Sequence, residues 1–405
     1  MGKKQSFLFL IIFCVLFAAF ASFYSEQLNR ISLYIILPFA FLLSFFKNNL
    51  TLRTNRYVVI LWCLFALIAF SALYATYLDR ATRELKQILG VILISFVFAV
   101  NCRDRKAIPW LYFVYFMLYI SVWYYAKNNI LEDITFGEDR LDDNKLNANM
   151  MAYYTFYLTF AVFMLGEIIQ KPGIQKMMRL VFFLTIPLSF IVAIYTASRQ
   201  VFVIQIPLIS ILLYLRYLKQ SKRYQKAFFI LAVIAVSLIA IPVMMGVYEN
   251  SLLQYRNEKE ITTDIRVKLF RDALKVGFQH FFTGVGAGNY AAYSFDGHFA
   301  HNTFLELFAN NGILGVSLFI YLMVKYLRLQ YRRFKSSSDK MFLYFFWFGI
   351  MFSLDCMFYV MYSKIWLMGF FILVASHSEQ YYQAQLETSL PIPIESQNEE
   401  NSSNH

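Results

Sequence analysis

The segment Ala300-His301-Asn302-Thr303-Phe304-Leu305-Glu306 opens a long apolar run with an imidazole, a carboxamide and a carboxylate within two helical turns. Imidazole is the side chain best suited to moving protons near neutral pH, and here it stands where an apolar helix meets water. Asn302 and Glu306 lie one turn apart on such a helix, so either can orient His301 or simply support the helix. Two arginines sit in telling places. Arg199, in Tyr195-Thr196-Ala197-Ser198-Arg199-Gln200, is the only charge between Arg179 and Arg216, and a charge so placed is costly unless it reaches water or a partner. Arg266 follows the helix-start pattern Thr262-Thr263-Asp264. It belongs to a basic amphipathic stretch in which Ile265, Leu269, Phe270, Ala273, Leu274 and Val276 recur near helical spacing, with Lys268, Arg271 and Lys275 between them. A base beside guanidinium groups is equipment for proton transfer next to a phosphate or another anion.

Other residues offer weaker versions of the same chemistry. Arg80, Arg83 and Lys86 can bind phosphate, or can pair with Asp79 and Glu84 at helical spacing. Gly284-Val285-Gly286-Ala287-Gly288-Asn289 can turn backbone N–H groups toward a phosphate, or can merely fold a loop back into the next helix. His298 rivals His301 as the base. Asn144, Asn147 and Asn149 can hydrogen-bond sugar, though capping the helix that follows is the simpler role.

The elements that must position these residues are membrane helices. The chain has 405 residues, 59% of them hydrophobic and 15% charged. Apolar runs long enough to cross a bilayer recur near 6–24, 31–46, 57–75, 87–101, 107–125, 148–169, 179–196, 200–216, 227–248, 302–324, 341–360 and 364–377. The expected fold is therefore all-α, a polytopic bundle of about twelve transmembrane helices filling residues 1–377, with one large extracytoplasmic loop at 249–300 that carries the amphipathic helix. Residues 378–405, which lack Lys and Arg, read as a disordered cytoplasmic tail. The first run has the flanks of a signal peptide, but the similar runs after it favour a retained helix.

Charge orients the bundle. With the N-terminus inside, alternate connections collect Lys47, Arg53 and Arg56, then Arg103, Arg105 and Lys106, then Lys171, Lys176 and Arg179, and later two richer clusters, which is the positive-inside pattern. That pattern accounts for most of the formal +12 and leaves little case for nucleic-acid binding. The opposite connection at 126–147 is acidic. By helix parity Arg199, Arg266 and His301 all face the exported side. Cys14, Cys63, Cys102 and Cys356 are scattered, with no metal spacing and no disulfide framework. The exported face shows no His/Asp/Glu cluster with ligand spacing, so no metal is expected, the acidic loop with Asp139, Asp142 and Asp143 being the one place where a cation could bind; no cofactor is expected either.

Ser198-Arg199 at a helix start, Asp264-Ile265-Arg266 with Phe281-Phe282-Thr283-Gly284-Val285-Gly286 in a long external loop, and His301-Asn302…Glu306…Gly312-Ile313-Leu314-Gly315 opening the next helix resemble the O-antigen ligase and polymerase superfamily. The resemblance covers about residues 145–325. It implies a metal-independent, inverting glycosyltransferase of the inner membrane. The donor is an undecaprenyl-diphosphate-linked glycan on the periplasmic face, and the acceptor is lipid A–core for a ligase or a second lipid-linked repeat for a polymerase. On that reading His301 is the catalytic base and Arg199 and Arg266 bind the donor diphosphate, with Arg83, Lys86, Asn302 and Glu306 in support. A polysaccharide flippase or other transporter would instead place charged or broken helices at mid-membrane, and a non-catalytic scaffold would not need these three residues on one face.

Overall fold

The computed structural model describes residues 3–52, 54–132, 148–195, 204–218, 222–224, 227, 231, 265–295 and 297–389. Among them the chain is helical: α1 (Lys3–Tyr24), α2 (Glu26–Lys47), α3 (Arg56–Tyr74), α4 (Leu78–Asn101), α5 (Ile108–Glu132), α6 (Ala148–Ile168), α7 (Pro172–Tyr195), α8 (Ile206–Leu218), α9 (Ile265–Gln279), the single turn α10 (Tyr290–Tyr293), α11 (Thr303–Ser337), α12 (Lys340–Asp355) and α13 (Ile365–Ser389). Eleven of the twelve apolar runs coincide with these helices; the run at 227–248, apart from 227 and 231, and the acidic segment 133–147 lie outside the described residues. By length and composition α2, α3, α4 and α11 can each cross a membrane, and a bundle of about twelve spans belongs to the proposal below.

Helix starts follow local chemistry. Asn55 caps α3 by accepting from the Tyr57 and Val58 amides (3.1 and 3.0 Å), and Asp339 caps α12 through the Met341 amide (2.9 Å). Each supplies an acceptor to N–H groups that the helix itself leaves unmade. Side-chain contacts sort the helix ends into two sets. At one end Lys47 reaches Asn101 (3.0 Å), Arg103 reaches Asn48 (2.8 Å), Arg56 and Arg333 share Glu379 (3.0 and 2.6 Å), and Tyr381 and Gln385 bind Asp339. Glu167, an acidic residue inside an apolar run, pairs with Arg216. At the other end Tyr74 meets Thr283, Tyr77 meets Asn289, and Thr303 meets Cys356 and Tyr359. The helices thus alternate in direction, and the basic connections gather at one end.

Large aromatic side chains fill the interior, with Phe160 on Phe348 (4.6 Å between ring centres), Tyr115 on Phe370 (4.4 Å) and Phe352 on Phe371 (4.7 Å). Others turn outward, Phe70 63% and Leu73 79% exposed, a cost in water that vanishes against lipid tails. Because lipid is as apolar as leucine, helix association depends on packing and on polar cross-links. Asn101 donates to Ser44 (3.0 Å) between α4 and α2, and Gln205 donates to Thr155 and Thr159 of α6.

Three boundaries differ from the sequence reading. The helix expected from 87 starts at Leu78, so Arg80, Arg83, Glu84 and Lys86 ride on the first turns of α4 and not in a loop. The tail expected from 378 begins as the last turns of α13: Ser378 and Glu379 bind Arg333, and Gln385 binds Asp339. These polar residues lack apolar periodicity but are held by the basic end of α11 and the cap of α12. Finally, α11 is not one uninterrupted helix, because its backbone breaks at Gly312 (φ 63°, ψ −163°).

Candidate active site

The break at Gly312 shapes the non-basic end of the molecule. A left-handed φ carries little steric cost for glycine, and a Cβ here would lie 2.4 Å from the Phe282 carbonyl carbon. Beyond the break, residues 313–337 rise roughly 37 Å at 1.5 Å per residue, enough to cross the bilayer. Before it, residues 303–311 form a short half-helix. A break normally strands backbone groups, which apolar surroundings do not tolerate. Here the loop at 281–286 satisfies them: Ile313 N–H donates to Phe281 O (2.7 Å), and Ala309 O and Asn310 O accept from the Val285 and Gly286 amides (2.9 Å each). The approach is so close that a Cβ on Gly284 (φ 68°) would stand 2.3 Å from the Asn310 carbonyl carbon. Two amides of the glycine-rich turn are therefore spent on α11, which favours the loop-folding reading of that motif over a phosphate cradle.

His301 sits immediately before the half-helix. Its φ of 52° is left-handed, an uncommon state for a side-chain-bearing residue that persists only where its surroundings enforce it. Two clamps do so. On one side Glu306 accepts from the Ala300 amide (2.6 Å) and from Asn310 Nδ2 (3.0 Å). Asn310 Oδ1 in turn accepts from the Tyr290 amide (2.7 Å), and the Tyr290 hydroxyl donates to Leu269 O in α9 (2.6 Å). On the other side, the 356–361 connection receives the Thr303 amide at Cys356 O (2.7 Å), Asn302 Nδ2 at Met357 O (3.1 Å) and the Thr303 hydroxyl at Tyr359 O (2.7 Å), while the Met361 amide donates back to Thr303 Oγ1 (2.8 Å). Asn302 also caps the half-helix, accepting from the Phe304 and Leu305 amides (2.9 and 3.1 Å). The two supporting residues thus divide the work: Asn302 holds the helix start and Glu306 holds the backbone before the imidazole. The imidazole lies against Phe299, ring centres 4.1 Å apart, and stays partly exposed.

Helix α9 carries the hydrogen-bonded chain outward. Leu269, Ala273 and Val276 are buried against Val285, Tyr290, Ala300 and Ala309. Arg266 shares the face of Leu269, Ala273 and Gly277 by helical spacing, and a Cβ on Gly277 would meet the Phe308 ring of α11. Lys268, Arg271 and Lys275 are exposed on another face, alongside the exposed apolar Val267, Leu274 and Phe278. Only Arg266 among these cations is thus on the side turned to α11. Arg199 lies outside the described residues. Arg83 is exposed with its Nε on Asp79 O (3.4 Å), and Lys86 is exposed one turn further. His298 is exposed, and its carbonyl accepts from Ser294 Oγ (2.8 Å). His280 is exposed and His377 is buried near the basic end beside Tyr112.

The sequence reading missed a polar cluster contributed by α4 and the 361–364 turn. Glu84 points inward within hydrogen-bonding reach of Tyr362 and Ser363, and both Glu84 and Glu306 feel the charge of Lys364. Burial pushes the Tyr290 and Tyr362 hydroxyls above the ordinary phenol range, so both stay donors. One signal could have found Lys364: like Arg83 and Lys86, it is a cation on the side that positive charge avoids. Among the described residues no group of three His, Cys, Asp or Glu is spaced to hold a metal ion. A cavity of about 680 Å³ lined by Arg105, Arg216 and Lys340 opens at the basic end, away from His301, and takes no part in this site.

The described residues thus form a helical bundle with helices apolar enough to cross a membrane, and a polar, histidine-bearing cluster lies at the end opposite the basic connections. Residues 180–320 match the family described as O-Antigen ligase, so this part of the chain is similar to that family. The matched segment includes Arg199, Arg266, His301, Glu306 and the break at Gly312. No curated protein matches the chain.

Proposed function

We propose that the protein is a metal-independent, inverting glycosyltransferase of the O-antigen ligase type, a bundle of about twelve spans in the bacterial inner membrane with its site facing the periplasm. The donor is a glycan on undecaprenyl diphosphate and the acceptor is a sugar hydroxyl of lipid A–core. His301 takes the proton of that hydroxyl, and the oxygen attacks the anomeric carbon from the face opposite the diphosphate. The bond from that carbon to the phosphate oxygen breaks, and undecaprenyl diphosphate leaves with the bonding pair. Arg199 and Arg266 hold the departing charge, because a guanidinium meets phosphate through two hydrogen bonds at once and stays ionised. Arg83 and Lys86 are exposed enough to attract the anionic donor to the same face. The exposed apolar stripe of α9 rests on the bilayer surface, where a lipid-linked substrate arrives.

The observation that carries this reading is His301 itself: a partly exposed imidazole in a left-handed conformation that two independent hydrogen-bond clamps enforce. Two measurements test it. In purified protein supplied with lipid-linked glycan, His301→Ala abolishes transfer and retains donor, whereas His298→Ala transfers at near the normal rate; the reverse result means the base is His298. Deleting the gene leaves core without polymer while lipid-linked polymer accumulates. Core bearing a single repeat unit would make the enzyme a polymerase. EDTA leaves transfer unchanged, and a loss restored by one divalent ion would overturn the arginine-based account of the leaving group.

A further inference from the structure

The 361–364 turn places a cation beside the site that neither the charge pattern nor the family match singled out. Met361 is tied to Thr303 Oγ1 (2.8 Å), so the turn moves with the start of α11. Lys364 follows, and its ammonium stands over the Tyr359 ring, 5.7 Å from the ring centre. Tyr359 meets Phe299 edge to face (6.1 Å, 89°), and Phe299 lies against His301 (4.1 Å). The ammonium and the imidazole are therefore mounted on one aromatic group.

A simpler role for Lys364 is to neutralise Glu84 and Glu306, whose carboxyls both feel its charge. The geometry argues against that as its whole purpose. Among the described residues no carboxylate oxygen lies within 4.0 Å of the Lys364 ammonium, which remains partly exposed. Glu84 Oε1 is buried without a hydrogen-bond partner. A lysine recruited only as a counter-ion would close on that oxygen. This one instead keeps its charge over a ring, on the face where each cation carries a topological cost. An ammonium so held is a point charge suited to a phosphate oxygen.

We infer that Lys364 binds the diphosphate of the lipid-linked donor, next to the base and in addition to the arginines; this rests on the function proposed above. The test measures binding of undecaprenyl diphosphate itself to the purified full-length protein in detergent, with undecaprenyl monophosphate as comparison. Lys364→Gln is expected to weaken diphosphate binding about ten- to hundredfold, with a smaller effect on the monophosphate and an unchanged melting temperature. Lys364→Arg is expected to restore most of the affinity. The double variant Glu84→Gln with Lys364→Gln removes the charge imbalance that a lost counter-ion would create. It is expected to fold normally and still bind weakly. Normal binding by Lys364→Gln, or recovery of binding in the double variant, would overturn the inference. Wild-type protein that fails to retain undecaprenyl diphosphate would overturn the proposed function as well, which separates the two failures.

Discussion

The Glu306 clamp can be tested against a magnitude. Glu306→Ala removes the acceptor of two donors, the Ala300 amide and Asn310 Nδ2, and both residues are fully buried. A buried donor left unmade costs about 1–3 kcal/mol, so the variant loses roughly 2–6 kcal/mol of local stability around His301. At 1.36 kcal/mol per tenfold, the lower figure already lowers the equilibrium constant for holding His301 in place by about thirtyfold. Glu306→Gln should do less damage. Its oxygen still accepts from Ala300, but its amide group then faces the amide group of Asn310, whose own oxygen is taken by Tyr290. One contact is lost, and the expected drop is roughly fivefold to 150-fold. The assay is single-turnover transfer by purified protein, with retention of undecaprenyl diphosphate measured separately. Transfer should fall in the order wild type, Gln, Ala, while donor retention stays within about twofold because the carboxylate is buried and spends its acceptors on the protein. Glu306→Ala working at the normal rate, Gln slower than Ala, or a parallel loss of donor binding would refute the reasoning.

Further outcomes follow from the same geometry. Gly312→Ala places a Cβ 2.4 Å from the Phe282 carbonyl carbon at a left-handed φ, so it should cost about 3 kcal/mol or more; a melting temperature equal to that of the wild type would contradict the broken-helix packing. Arg266→Ala should slow transfer about a hundredfold or more and Arg266→Lys should recover little of it. Arg271→Ala, on another face of α9, should stay within about twofold, and equal losses at both positions would undo the face assignment. A reporter fused after Lys335 should remain cytoplasmic and one at Asn257 should be exported; both on one side would separate Arg266 from the side proposed for the site.

Much of this molecule was legible in sequence because the information is local. A run of apolar residues marks a helix wherever it lies, and Lys and Arg counts in neighbouring connections give each helix a direction, so the alternation of α2, α3, α4, α11, α12 and α13 and the gathering of basic connections at one end could be read from the chain. Asn302 as a helix cap and the amphipathic face of α9 are local for the same reason. The site needed the tertiary structure. Asn310-Asn311-Gly312 sits inside an apolar pattern that continues unbroken, and nothing within it says that a loop some thirty residues earlier will supply hydrogen bonds to an opened helix; Gly312 departs from helix because the backbone of 281–286 occupies the space beside it. Glu306 reads as a helix residue until Ala300 folds back onto it. Glu84 reads as a partner for its own helix until the turn before α13 brings up Tyr362 and Lys364. Spacing along one helix announces which residues share a face, but which face meets which depends on packing between segments far apart in sequence, as when Tyr74 meets Thr283 across 209 positions. The conformation of His301 is set by such contacts, with Glu306 on one side and the 356–361 connection on the other, and only the folded chain brings them together.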